Sequence, residues 1–172
     1  MTHQIKFSVT RPGGDRIHYL AEEDVRIVLE RLPEELWDRL RAVHFNDQSR
    51  GAKMIGYVNQ GRTEITICAL PPRISLTRFL TKEQSPGTFG AKRGTQWPHL
   101  AIRRFMLYNT FLHELGRLQV INEDKKSLRR KFAMATRAQE FAERWRKFLW
   151  STPFSHQDSV HNRPTEFAYL NK

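Results

Sequence analysis

The stretch from Pro98 to Ile121 constrains the fold more than any other part of the sequence. It predicts one long helix whose large apolar residues cover nearly every side. These residues are Phe105, Leu107, Tyr108, Phe111, Leu112, Leu115 and Leu118. A helix that is apolar all round must be buried, so we expect it at the centre of a domain.

A second long helix is predicted from about Lys126 to Trp150. Its apolar and small residues recur at three- and four-residue spacing, which gives an inward stripe. The stripe is formed by Leu128, Phe132, Ala135, Ala138, Ala142, Trp145 and Leu149. Only the short turn 122–124 separates the two helices, so we expect them to pack antiparallel.

The chain before residue 98 combines helical and strand patterns. A helix is predicted from Glu22 to Leu32, and a second helix from Pro33 to Val43. His44 lies in the strand-like segment 43–45, and residues 52–70 alternate like a hairpin with a turn near Gly61.

These patterns predict an α+β protein formed by a single domain over residues 1–172. We expect a small, mainly antiparallel sheet around the buried helix. Residues 1–20 suggest an N-terminal arm or hairpin, 71–98 a long loop that is functional or mobile, and 151–172 a C-terminal tail.

Charge and cysteine content narrow the function classes. The net charge is +11, and nine Lys or Arg lie between residues 125 and 147 against two Glu. A solvated helix face explains this pattern, and so does a nucleic-acid-binding surface that includes Arg129, Arg130, Lys131 and Arg137. One cysteine and no bilayer-length apolar run favour a cytoplasmic protein without a membrane partner.

The central helix contains His113-Glu114-Leu115-Gly116-Arg117. Zinc peptidases place two imidazoles one turn apart on such a helix, with a Glu beside the first as general base. Here Arg117 occupies the second ligand position, and a guanidinium has no lone pair for a metal. From this motif alone, a structural His with a hydrogen-bond partner explains the residues as well.

The sequence around this motif resembles a known group. FLHELGRLQ followed by KFAMATRAQEFAERW resembles the compact zincin metallopeptidases of the gluzincin type. Those proteins have an FLHELGHLQ-like helix, and a Glu on the next helix is their third ligand, within a pattern like E-x-x-A-x-x-F-A. When Ala138 and the pair 141–142 are aligned with that pattern, the Glu position falls at Ala135. The order of elements over residues 33–150 also resembles the minimal zincin arrangement.

The resemblance implies that His113 is a metal ligand and Glu114 the general base, with the remaining ligand positions at Arg117 and Ala135. Since neither of those residues can bind zinc, we expect a metallopeptidase-like protein that is inactive or binds no zinc. Natural loss and deliberate inactivation would leave the same sequence. A cleft for an extended peptide or a protein partner would remain, and the oligomeric state is not indicated.

Two further expectations concern residues around this centre. His156 or His161 could supply a surrogate ligand if the C-terminal tail folds over the cleft, although a polar tail explains the same residues. We also expect Arg117 to occupy part of the zinc position and to form a buried ion pair with Glu114 or with another carboxylate.

Overall fold

The fold was determined as a computed structural model that describes residues 4–46, 54–59, 61, 63–120 and 128–165. Its strands are β1 (Lys6–Val9), β2 (Ala42–Asn46), β3 (Gly56–Val58) and β4 (Glu64–Cys68). Its α-helices are α1 (Glu22–Arg31), α2 (His99–Phe105), α3 (Leu112–Gln119) and α4 (Leu128–Ser151). A π-helical segment, Met106–Phe111, joins α2 to α3, so the three form one continuous helical stretch.

The four strands form one sheet in the order β1-β2-β4-β3. The predicted α+β class and the predicted hairpin of β3 and β4 are confirmed. The expectation of a mainly antiparallel sheet is wrong, because β2 pairs in parallel with both β1 and β4. Helix α1 connects β1 to β2 as a crossover, and such a connection returns the chain in the same direction. Strand β3 is left at the edge of the sheet.

The predicted central helix is confirmed in position and burial. All six residues of the π-helical segment are buried, and Leu112, Leu115 and Leu118 of α3 are fully enclosed. On the sheet side, a Cβ placed on Gly56 would lie 2.8 Å from Cγ2 of Thr110. The absence of a side chain at Gly56 therefore lets β3 approach the helix closely.

Helix α4 packs antiparallel against α3, as the short connection predicts. The ring of Tyr108 lies 5.2 Å from that of Trp150, whereas Gly116, further along the first helix, faces the earlier residue Ala138. A Cβ on Gly116 would lie 2.9 Å from the backbone oxygen of Ala138 and from Cβ of Phe141. The two helices can approach this closely because residue 116 has no side chain.

Two expectations about helices are wrong, one about the length of an element and one about which side chains are buried. The helix predicted from Pro33 is only a short 3₁₀ turn, Glu34–Leu36, because the chain is already extended in β2 at residue 42. In the predicted stripe of α4, Ala138, Ala142 and Leu149 are buried, but Phe132 is 66% exposed. Phe132 lies near the start of α4, before the part of that helix that packs on α3.

The three segments outside the main elements are also ordered where the structure describes them. Instead of pairing with the rest of the 1–20 segment, β1 joins β2, while Ile17 forms an antiparallel bridge with Leu70. The 71–98 segment contains two 3₁₀ turns, Thr77–Phe79 and Pro86–Phe89. The C-terminal segment contains a third, Ser159–His161.

Candidate functional site: a groove around His113

A groove runs between α3, α4 and the edge of the sheet. Its inner pocket is bordered by Ile55, Gly56, Asn109, Thr110, Glu114 and Arg117, and its outer part by Thr81, Glu83, Phe132, Ala135, Glu140 and Glu143. Phe79, His113 and Gln139 border both parts, which therefore form one groove. The outer part has a volume of about 490 Å³, which is in the usual range of small-ligand sites.

Ala135 and His113 line the same outer part of the groove, although they lie on different helices. Arg117 and Glu114 line the inner pocket with His113. The structure thus brings together the four positions that the zincin resemblance connects.

His113 is held by a side-chain hydrogen-bond network that the sequence analysis did not identify. Its Nδ1 lies 3.0 Å from Oε1 of Gln139, and because an amide oxygen can only accept, Nδ1 carries the proton. Nε2 is then left as an acceptor. Burial lowers the pKa of His113, and the Arg117 charge lowers it further against the opposing hydrogen bond with Gln139. The imidazole is therefore neutral at neutral pH.

The network continues from Gln139 through its amide nitrogen. This nitrogen donates to Oδ1 of Asn109 at 2.9 Å and to Oε1 of Glu143 at 3.3 Å. The same Glu143 oxygen accepts a bond from the hydroxyl of Thr81 at 3.2 Å. Gln139 thus joins the π-helical segment, α3, α4 and the 71–98 segment. In the sequence, the one indication that Gln139 would contact His113 is that it lies one helical turn after Ala135, on the same side of α4.

Glu114 is buried, and its Oε2 has no hydrogen-bond partner among the described residues. Burial raises its pKa to about 7, and the Arg117 charge opposes this shift. The predicted buried ion pair is wrong in part, because Nη1 of Arg117 lies 3.8 Å from Oε2 and its side chain is 42% exposed. The guanidinium is partly exposed and lies beyond hydrogen-bond distance, so it does not donate to Oε2 of Glu114.

The donors in the groove do not fit a zinc ion. His113 supplies one imidazole, but Arg117 is cationic and Ala135 offers only a methyl group. A zinc site needs at least three protein ligands converging on one point. Among the described residues, the group with such spacing is Asp24, Asp158 and His161.

That group lies in a different part of the fold, and its side chains are already bonded to one another and to Arg103. Nε2 of His161 lies 2.9 Å from Oδ1 of Asp24, and the guanidinium of Arg103 makes two bonds to Asp158 and one to Asp24. These contacts fasten the C-terminal segment to α1 and α2. His156 packs its ring against that of His161 at 4.8 Å. Both histidines considered as surrogate ligands therefore serve this anchor instead of the groove.

The proposed nucleic-acid-binding residues are distributed over α4. Arg137 is exposed, while the side chains of Arg129, Arg130 and Lys131 lie outside the described residues. Arg146, which the sequence analysis counted among the cations of this segment, is buried, donates to Gln84 and lies over the ring of Phe89. It therefore does not contribute to a basic surface.

No protein-family model matches the sequence, and comparisons with curated proteins and with solved structures gave no significant match. No helix within the described ranges combines the length and hydropathy that a membrane span requires.

Proposed function

We propose that this chain is a zincin-like protein related to metallopeptidases that does not hydrolyse peptides and instead binds an extended peptide segment in the groove around His113. One observation carries the proposal. His113 and Ala135, which the resemblance assigns to one metal, border the same groove from two helices. A chance match of two sequence motifs would not require this convergence.

The edge of the sheet supports a peptide as the ligand. Strand β3 is an edge strand, and Gly56 at its start borders the inner pocket together with Ile55. The backbone groups on the free side of an edge strand can pair with an incoming extended chain. Such a peptide would run beside β3 and place its side chains in the groove.

The chemistry of the groove supports binding over hydrolysis. Glu114, with a pKa raised to about 7 by burial, could exchange a proton with water. Peptide hydrolysis also needs a group that polarises the scissile carbonyl, and the metal ligands that would serve this purpose are replaced at positions 117 and 135.

The test is to restore the missing ligands by the double substitution Arg117→His and Ala135→Glu. If the groove is derived from a zincin site, the double variant purified without chelators should contain about one zinc per chain, and the parent protein should contain none. The matched control is Arg117→His with Ala133→Glu. Ala133 is exposed and lies two residues away on the opposite side of α4, so the same two donor types cannot converge.

Elemental analysis and circular dichroism of the three proteins measure zinc content and folding. A folded double variant without zinc would contradict the zincin origin, and equal zinc in the control would show adventitious binding. Cleavage of a casein substrate by the zinc-supplemented parent protein would refute the absence of hydrolytic activity.

A further inference from the structure

The outer part of the groove is acidic although the protein as a whole carries a net charge of +11. Glu83 and Glu143 both border it, and Glu140 lies on the same side of α4. The carboxylate of Glu143 raises the pKa of Glu83, by a hydrogen bond to its protonated form and by charge repulsion. Two carboxyl groups in contact destabilise each other unless a proton or a cation lies between them.

Positive groups of the protein only partly compensate for this charge. Lys82 borders the groove, the charge of Lys147 acts on Glu83, and the buried guanidinium of Arg146 interacts with Glu143. Glu143 is 9% exposed and is held in place by hydrogen bonds from Thr81 and Gln139. Both bonds end on the same oxygen, Oε1, so the network fixes the position of the Glu143 carboxylate at the wall of the groove.

An independent feature of the inner pocket also points to a ligand. The side chain of Glu114 is 7% exposed and borders the pocket, and its Oε2 accepts no hydrogen bond from the part of the chain that the structure describes. A buried acceptor without a partner costs free energy, which a donor from a bound molecule would recover. The groove thus has carboxylate acceptors at both ends, which favours a ligand with several hydrogen-bond donors.

The apolar wall of the groove defines the shape of that ligand. Phe132 is 66% exposed and, with Phe79 and Ala135, borders the outer part beside the two carboxyl groups. An arginine side chain fits such a surface, since its aliphatic stem packs on apolar groups and its guanidinium can bond two carboxylates at once. Phosphate groups would be repelled there, which disfavours a nucleic acid as the occupant of this groove.

We infer that the groove binds an extended peptide through an arginine side chain, which lies along Phe132 and is recognised by Glu83 and Glu143. The inference rests on the proposed peptide-binding function and names its specificity. The peptide backbone would then supply N–H donors toward Glu114. A lysine would satisfy the charge but could not bond both carboxyl groups in the same planar geometry.

The experiment uses three fluorescein-labelled, capped peptides of alanine and leucine that differ only at a central residue, which is arginine, citrulline or glutamate. Citrulline has the shape of arginine without its charge. Fluorescence anisotropy at moderate salt should give about tenfold weaker binding for the citrulline peptide, which corresponds to about 1.4 kcal/mol. The effect is modest because Glu83 is exposed and its charge is screened by solvent. The glutamate peptide should bind more weakly still.

Substitutions place the effect in the groove. Glu83→Gln and Glu143→Gln should each reduce the preference for arginine over citrulline, and Glu30→Gln should leave it unchanged. Glu30 is an exposed residue of α1, so this control removes the same charge elsewhere. Glu83 is also exposed, so its variant remains informative if loss of the Thr81 and Gln139 bonds prevents Glu143→Gln from folding.

The outcomes separate this inference from the function on which it rests. If the arginine and citrulline peptides bind the parent protein equally, the arginine site is refuted and the peptide-binding groove stands. If none of the peptides binds, both are refuted. A preference for arginine that survives both glutamate substitutions would refute the assignment to Glu83 and Glu143.

Discussion

Replacement of Glu114 by glutamine tests the electrostatics of the groove most directly. The side chain is 7% exposed, and burial raises its pKa from the ordinary value of 4.5 to about 7. Glu114→Gln keeps the shape of the protonated carboxyl group and removes its ability to ionise. The stability of the variant should therefore differ from that of the parent protein only at pH values at which Glu114 of the parent is ionised.

The sign of the effect follows from proton binding. Between pH 4.5 and about 7 the folded state binds the proton on Glu114 more tightly than the unfolded state. Stability contributed by this group is therefore full below pH 4.5, decreases as the pH rises, and levels off above about 7. A shift of this size corresponds to about 3 kcal/mol. Glu114→Gln should match the parent at pH 4.5 and exceed it by up to about 3 kcal/mol at pH 8.

Urea unfolding followed by tryptophan fluorescence, repeated across this pH range, measures the difference. Contributions from other titrating groups cancel in the comparison of the two proteins, because only one group differs. Glu30→Gln serves as the control and should show a difference that does not change with pH. A flat difference for Glu114→Gln would refute the argument, since it would mean that Glu114 titrates alike in both states.

Four further predictions follow from the same geometry. Arg117→Ala should lower the free energy of unfolding at pH 8 by less than about 1 kcal/mol. At pH 4.5 it should have no effect, because Glu114 is then protonated and forms no ion pair. An equal loss at both pH values would contradict the ion pair. Arg103→Lys should lower the free energy of unfolding in urea by about 3 kcal/mol, because it leaves the buried carboxylate of Asp24 without full pairing. The control is Arg26→Lys, at an exposed arginine. Equal small losses of stability in the two variants would show that the contacts of Arg103 with Asp24 and Asp158 do not stabilise the fold. Gly116→Ala should lower the free energy of unfolding in urea by about 1–3 kcal/mol, because the added methyl group overpacks the contact between α3 and α4. An unchanged free energy of unfolding would show that the two helices can separate to accept it. If the alternative of nucleic-acid binding holds, affinity for a DNA duplex should fall steeply with added salt, and absence of binding at low salt would exclude it.

The spacing of apolar residues predicted those helices and strands that bury one side along their whole length. The central helix, α4, and the hairpin of β3 and β4 follow from patterns within one segment, so the sequence was sufficient for them. The parallel pairing of β1 with β2 depends on how α1 crosses the sheet. The sequence of residues 6–9 alone therefore does not indicate which strand β1 pairs with or in which direction.

The candidate site was predictable only where a motif marked it. His113, Glu114 and Ala135 were found through a resemblance, whereas Gln139 and Glu143 were missed because their roles arise from contacts between α4 and distant segments. The buried position of Arg146 was missed for a related reason. Its charge suggests a surface residue, but its guanidinium lies over the ring of Phe89, which is distant in sequence, and near that of Trp150 on the same helix.

The two unusual features of the groove are best explained together. The buried Oε2 of Glu114, which has no donor among the described residues, lowers the stability of the isolated protein, and the proximity of Glu83 to Glu143 lowers it by a smaller amount because Glu83 is exposed. Replacement of Glu114 and Glu83 by neutral residues would remove both costs without disturbing the core. A fold maintained only for stability gives no reason to keep them. The proposed donor-rich, cationic ligand would give one, because the groups that lower the stability of the isolated protein would contribute to binding it.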